Sequence, residues 1–212
     1  MPPHKRKGSM RSFWYSVIRS IFNVITYIWL GMKVFGRENI PNKGAFIVAS
    51  NHASYFDPPL LGTAMNNRLI HFMAKEELFR NPLMGWFLRY VHTFPVRRGR
   101  LDRKAIAEAM KTLRDGHVLG IYPEGTTQNN GRLGKFHEGM AAIALKAGVP
   151  VLPAAIANSG RLPKKSGPVS VSFGKLIMPD GNASDKEDIA ALTEKVRNEV
   201  ARLLYEHGGM AR

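Results

Sequence analysis

The chain has no cysteine. Disulfides, cysteine nucleophiles and thiolate metal sites are therefore excluded, and with them a disulfide-stapled secreted domain. Acidic residues are scarce: 16 Asp+Glu stand against 31 Lys+Arg, a formal charge of +15. So basic a balance asks for an anionic partner, which nucleic acid, an anionic lipid surface or a phosphorylated substrate would each supply. No helix-turn-helix, zinc-finger or aromatic RNA-binding signature accompanies the charge. A non-catalytic basic membrane- or nucleic-acid-binding module is thus the secondary expectation, and nucleic acid is not the expected partner. There is no internal repeat, no compositional break that would mark a second domain, and no small-residue cleavage pattern of a signal peptide. His71, His92, His117 and His137 lack the mutual spacing of metal ligands, so no metal is expected.

What is present suits one α/β domain. With 212 residues and 44% apolar content, the chain is long enough for a real core. Residues 1–11 form a basic tail with His4, Lys5, Arg6, Lys7 and Arg11. Residues 12–35 follow as a helical segment. Its polar residues, Ser12, Ser16, Arg19, Asn23 and Thr26, recur every three or four positions and make a narrow stripe. The remaining face carries Trp14, Val17, Ile18, Ile21, Ile25, Ile28 and Trp29. A spanning helix would hold Arg19 within it, and a helix packed on the core would not need the tryptophans. A helix lying in the membrane interface accounts for the stripe, the aromatics and the basic tail together. Membrane association is expected on this ground, peripheral rather than spanning, at the cytoplasmic face of the cell membrane.

Residues 36–212 read as the globular domain. Apolar runs at 45–49, 69–73, 90–96, 118–122, 151–157 and 169–173 alternate with helical patterns, including Leu101–Arg114, Glu138–Ala147 and a final helix within Ala183–His207. Such alternation predicts a mixed central sheet flanked by helices.

One strand-to-helix loop stands out: Asn51-His52-Ala53-Ser54-Tyr55-Phe56-Asp57. Pro58 suits a first helical position, with Asp57 at the cap. On one continuous helix His52 and Asp57 would diverge by roughly 140°. In a loop the chain can fold back, so that the carboxylate accepts one ring N–H and leaves the other nitrogen free. That is an oriented general base; a plain helix cap beside a polar loop histidine is the blander alternative. Two more strand ends carry unusual residues. Arg97, Arg98 and Arg100 supply charged forks suited to phosphate, or a solvated basic turn. Glu124-Gly125-Thr126, with Lys135 beyond, places a glycine where exposed N–H groups would meet an oxyanion, or makes a simple turn. In open α/β sheets ligands bind outside the carboxyl ends of strands, so all three groups can share a crevice.

Asn51-His52-x-x-x-x-Asp57, Phe94-Pro95-Val96-Arg97-Arg98, Tyr122-Pro123-Glu124-Gly125-Thr126 and Val149-Pro150-Val151-Leu152-Pro153 resemble the four ordered motifs of the glycerolipid acyltransferases, the 1-acyl-sn-glycerol-3-phosphate acyltransferases above all. Lys75-Glu76-Glu77-Leu78-Phe79, with Pro82 and Gly85, resembles their connecting stretch, and the likeness runs from about Gly36 to Asn158. The resemblance implies the glycerolipid acyltransferase fold and acyl transfer from acyl-CoA or acyl carrier protein to the sn-2 hydroxyl of lysophosphatidic acid, giving phosphatidic acid. It implies that His52 is the base, Asp57 its orienting partner, and Arg98 the phosphate ligand, with Arg97, Arg100 or Lys135 as substitutes. Glu124, Gly125 and Thr126 would shape the acceptor site, Gly125 N–H being the oxyanion candidate, and Pro153 would be structural. No cofactor, metal or covalent acyl-enzyme is implied. The third motif departs from the family pattern: Thr127 and Gln128 stand where arginine and serine are usual. One expected positive charge is missing, so another lysophospholipid or a lyso-ornithine lipid is the alternative acceptor.

Overall fold

The computed structural model describes residues 20–65, 67–97, 99, 101–128, 132–162 and 168–208. Seven strands, β1 (Lys33–Phe35), β2 (Phe46–Ser50), β3 (Ile70–Lys75), β4 (Thr93–Val96), β5 (Val118–Ile121), β6 (Val151–Ala157) and β7 (Ser170–Phe173), form one sheet in the order β1-β7-β6-β2-β5-β3-β4. Every pairing is parallel except β6 with β7. The sheet is therefore mixed, as the sequence pattern predicts.

β2 lies between β5 and β6, and all five of its residues are buried. A strand covered on both faces needs apolar residues at successive positions, which is why this segment reads as a continuous run rather than an alternation. On one face Ile47, Ala49, Leu119 and Ala155 meet three helices: α3 (Arg103–Arg114), α4 (Gly139–Ala147) and α5 (Lys186–Gly208). On the other, Phe46, Val48, Leu152 and Ile156 pack with Leu60, Leu61 and Ala64 of α1 (Asp57–Ala64). The remaining helix, α2 (Pro82–Tyr90), starts at Asn81, whose side chain accepts the Met84 N–H, with Pro82 at the first position.

Pro153 sits inside β6, where a proline would normally cost a ladder bond. Here the segment after β7 has left regular pairing. The Pro153 carbonyl still accepts from Gly174 N–H at 2.9 Å, and Val151 exchanges two bonds with Ile177.

The N-terminal helix ends earlier than its apolar pattern suggests. Ser20–Val24 are helical and Ile25–Trp29 form a π-helix. Gly31, at φ +57°, ends it in a conformation glycine adopts freely. Lys33–Phe35, expected as helix, instead add β1 to the sheet in parallel with β7. Residues 1–11 and 12–19 lie outside the described residues. Among the described residues, no helix is long and apolar enough to cross a membrane.

Candidate active site

The site is assembled where two adjacent parallel strands, β2 and β5, end. On one side of β2 the chain proceeds to β5, β3 and β4, and on the other to β6 and β7. Such a switch point leaves a crevice outside the strand ends.

Asn51 opens the loop. Its side chain mimics a peptide unit: Nδ2 donates to Ile156 O at 2.9 Å, and Oδ1 accepts from Ile156 N–H at 2.8 Å. The β2–β6 ladder is thus prolonged by a side chain while the main chain turns away. His52 comes next, 8% exposed. Its N–H donates to Glu124 Oε2 at 3.0 Å and its carbonyl accepts from Gln128 N–H at 2.7 Å. His52 is therefore fixed through its own backbone as well as through its ring.

The ring Nδ1 lies 2.8 Å from Asp57 Oδ2. That oxygen also accepts the Ala53 and Ser54 N–H groups, at 2.7 and 2.8 Å. An ionised carboxylate only accepts, so Nδ1 carries the proton and Nε2 is left with its lone pair. Asp57 is completely buried, and no partner among the described residues reaches its Oδ1. It does not cap α1: the cap position is Phe56, with no side-chain bond. The expected capping role fails because the carboxylate turns back into the loop, where three donors converge on it.

Tyr122 stacks on His52 with ring centroids 4.2 Å apart, and Phe72 continues the stack 5.9 Å beyond Tyr122. The Tyr122 hydroxyl is buried without a hydrogen-bond partner among the described residues. Burial, and then the charge of Asp57, pushes its pKa well above the ordinary phenol value. Gly120, in β5, makes room for this stack: a Cβ there would sit 2.4 Å from Phe72 Cε1.

Glu124 was expected to shape the acceptor site. Its carboxylate faces inward instead, 4% exposed, joining His52 N–H to Gly134 N–H, the latter at 2.8 Å from Oε1. Burial pushes its pKa up against the two amide bonds it accepts. Gly125 holds φ +72°, but its N–H donates to Tyr122 O at 3.0 Å. The amide expected to face an oxyanion is already engaged in a turn. Thr126 and Lys135 are exposed.

Of the arginines, Arg97 follows β4 and leaves the same edge of the sheet as His52. Its N–H and Nε both donate to Asp102 Oδ2, at 2.9 and 3.3 Å. Asp102 also caps α3 through Oδ1, and its pKa is held well below the usual carboxylate range by the Arg97 amide and guanidinium. The Arg97 charge is thus already partnered. Arg98 and Arg100 lie outside the described residues.

Beside His52 opens an apolar cleft of about 500 Å³. It runs between α1, β3 and α2, with Pro58, Ile70, Phe72, Leu88 and Val91 in its wall and Arg68 at the amino end of β3. From Lys75 back to Ile70 this wall measures about 17 Å at ~3.3 Å per residue. Phe22 of the N-terminal helix also lines it.

His71, His92, His117 and His137 lack the sequence spacing of metal ligands. Three of them meet at the opposite end of the sheet. His71 stacks on His117 at 4.8 Å and tilts against His92 at 5.0 Å. Among the described residues, no group of three His, Cys, Asp or Glu side chains has a geometry fit to hold a metal ion. Asn51, Tyr122 and the Gln128 amide are the site groups for which sequence reasoning had no role. Only their adjacency to the two motifs marked them.

Comparison with known proteins agrees with the motifs. The family model described as Acyltransferase matches residues 31–157. The 1-acyl-sn-glycerol-3-phosphate acyltransferase of Bacillus subtilis is 33% identical over 193 residues, covering 89% of this chain and 96% of that protein. The lyso-ornithine lipid O-acyltransferase of Pseudomonas aeruginosa is 41% identical over 108 residues, 50% of this chain and 41% of that protein. The crystal structure of the 1-acyl-sn-glycerophosphate (LPA) acyltransferase PlsC from Thermotoga maritima superposes with a TM-score of 0.76 at 30% identity, covering 98% of this chain and 85% of that one.

Proposed function

Since this chain belongs to the acyltransferase family, we propose that it moves an acyl group from acyl-CoA or acyl carrier protein to the sn-2 hydroxyl of lysophosphatidic acid, giving phosphatidic acid. The observation that carries this reading is the His52–Asp57 contact of 2.8 Å, set beside a long apolar cleft. Nε2 of His52 takes the hydroxyl proton as the oxygen attacks the thioester carbonyl. The C–S bond then breaks, and the proton passes from Nε2 to the departing thiolate. Asp57 keeps Nδ1 protonated and stabilises the imidazolium between these steps. The cleft holds an extended hydrocarbon chain, and its apolar walls exclude water that would otherwise hydrolyse the thioester. This sequence of steps uses no cofactor, metal or covalent acyl-enzyme.

Phosphate recognition falls to the end of β4, three strands from β2 in the sheet, a lateral distance of about 14 Å. Arg98 is the proposed ligand by its place in the second motif, with Arg100 and the exposed Lys135 as further cations. The enzyme works at the membrane as a peripheral protein. Ile21, Val24 and Ile28, exposed on the helix whose Phe22 lines the cleft, support this placement.

A second acceptor class is favoured by two observations. Arg97 is neutralised by Asp102. Thr127 stands where an arginine is expected, so one positive charge is missing from the third motif. A lyso-ornithine lipid or another lysophospholipid needs fewer phosphate contacts. Purified protein given one labelled acyl-CoA and a panel of acceptors separates the two readings: the first expects lysophosphatidic acid to be acylated with the highest kcat/KM. If another acceptor is preferred by tenfold or more, the second replaces it. Acylation of no lysolipid would remove both.

A further inference from the structure

α2 is built unlike the other helices. Of its nine residues only Gly85 is buried. Leu83 is 75% exposed, Trp86 62% and Met84 46%. A contiguous apolar face of this kind in water marks a surface awaiting a partner. Its place identifies the partner. Tyr55, Leu78, Met84 and Phe87 are exposed and at the same time line the cleft, so the outer face of α2 runs without interruption into the cavity. The helix that contributes Phe22 to the cleft likewise exposes Ile21, Val24 and Ile28. Trp86 and Tyr90 stack at 5.5 Å, an indole–phenol pair of the kind enriched where apolar and wet phases meet. Exposed Arg80 precedes the helix and exposed Arg89 lies in its last turn, in a chain of formal charge +15.

We propose that α2, with the rim residues Tyr55 and Leu78, inserts into an anionic phospholipid leaflet as a second membrane contact beside the N-terminal helix. The cleft then opens laterally into the hydrocarbon layer, and chains enter it without crossing water. The inference rests on the lipid chemistry assigned to the cleft above.

The test uses the full chain with Trp14→Phe and Trp29→Phe, which leaves Trp86 as the sole indole. Vesicles of phosphatidylglycerol and phosphatidylcholine are added, with and without bromine on the acyl chains. Trp86 emission is expected to shift to the blue and to be quenched roughly twofold by the brominated chains, as for an apolar helix face buried at the acyl boundary. Leu83→Glu is expected to weaken vesicle binding roughly tenfold or more, from the loss of one buried leucine, while short-chain monomeric substrates are still turned over. Neither Leu83 nor Trp86 lines the cleft. Emission unmoved by vesicles overturns the proposal. So does emission already blue-shifted without lipid, which means that residues 1–19 cover the face, or a shift that follows protein concentration, which means that a second copy does. If Trp86 inserts but no lysolipid is acylated, the acyl-transfer reading falls and the membrane contact stands. If monomeric substrates react while Trp86 stays in water, the contact alone falls.

Discussion

At the carboxyl edge of the sheet His52 meets a carboxylate at 2.8 Å. At the amino edge His71 lies against two other histidine rings, His117 at 4.8 Å and His92 at 5.0 Å. The two imidazoles face opposite electrostatics. His52 has a buried carboxylate on Nδ1, so its proton is placed and a positive charge on the ring would be compensated. His71 loses solvation and gains neighbours that would carry the same charge. Its pKa falls to about 4, through burial first and then His92 and His117, with Asp115 opposing. A histidine becomes a base through the partner of its second nitrogen. Proximity to other imidazoles only keeps it neutral.

The largest effect that tests this contrast is at His52. His52→Ala should lower acyl transfer by about 10²–10⁴-fold, the usual worth of a positioned general base, with thermal unfolding little changed. His71→Gln should leave kcat near the parent value. Equal losses in the two variants would erase the distinction. Asp57→Asn comes next. The amide removes the charge that fixes the Nδ1 proton, so kcat should fall by about 10²-fold or more. If the fall were confined to KM, Asp57 would be shaping the loop rather than orienting the base.

Gly120→Ala addresses the same edge through packing. The new methyl meets the Phe72 ring at 2.4 Å, and overpacking of this kind costs about 1–3 kcal/mol. A lower Tm, by about 2–4 °C per kcal/mol for a chain this size, and a reduced kcat are both expected, since Phe72 supports Tyr122 and Tyr122 supports His52. The smallest effect belongs to the amino edge. Because the folded pKa of His71 lies below its ordinary value of 6.5, the unfolded chain binds the extra proton first. Stability attributable to this residue is full above pH 6.5 and declines as pH falls toward 4. The decline should be about 1 kcal/mol at pH 5, after discounting for a half-exposed ring. His71→Gln should flatten that part of the Tm–pH profile. An unchanged slope would mean that another group carries it.

The legible parts of this molecule were local. β2 and β6 read as apolar runs because both faces are covered, and His52 with Asp57 read as a pair because five residues of loop suffice to join them. What escaped was non-local. β1 is three residues long and exists by pairing Lys33 with Ser170, so no periodicity announces it. The histidine cluster joins the starts of three strands, which sequence spacing cannot encode. Glu124 was placed in the acceptor site by the resemblance of its motif. Only the approach of His52 and Gly134 shows that its carboxylate ties two loops together. Gly125 was legible as a glycine that the turn requires, but the turn's own hydrogen bond uses the amide expected to be free.

The Asn51 side chain has one more consequence. It shields the amide proton of Ile156, a task that elsewhere in the sheet belongs to a neighbouring strand. In deuterated solvent, that proton exchanges when the histidine loop lifts, without any need for the sheet to open. Its exchange rate is thus a built-in gauge of how often the loop departs from the arrangement that holds His52, readable without substrate and without mutation.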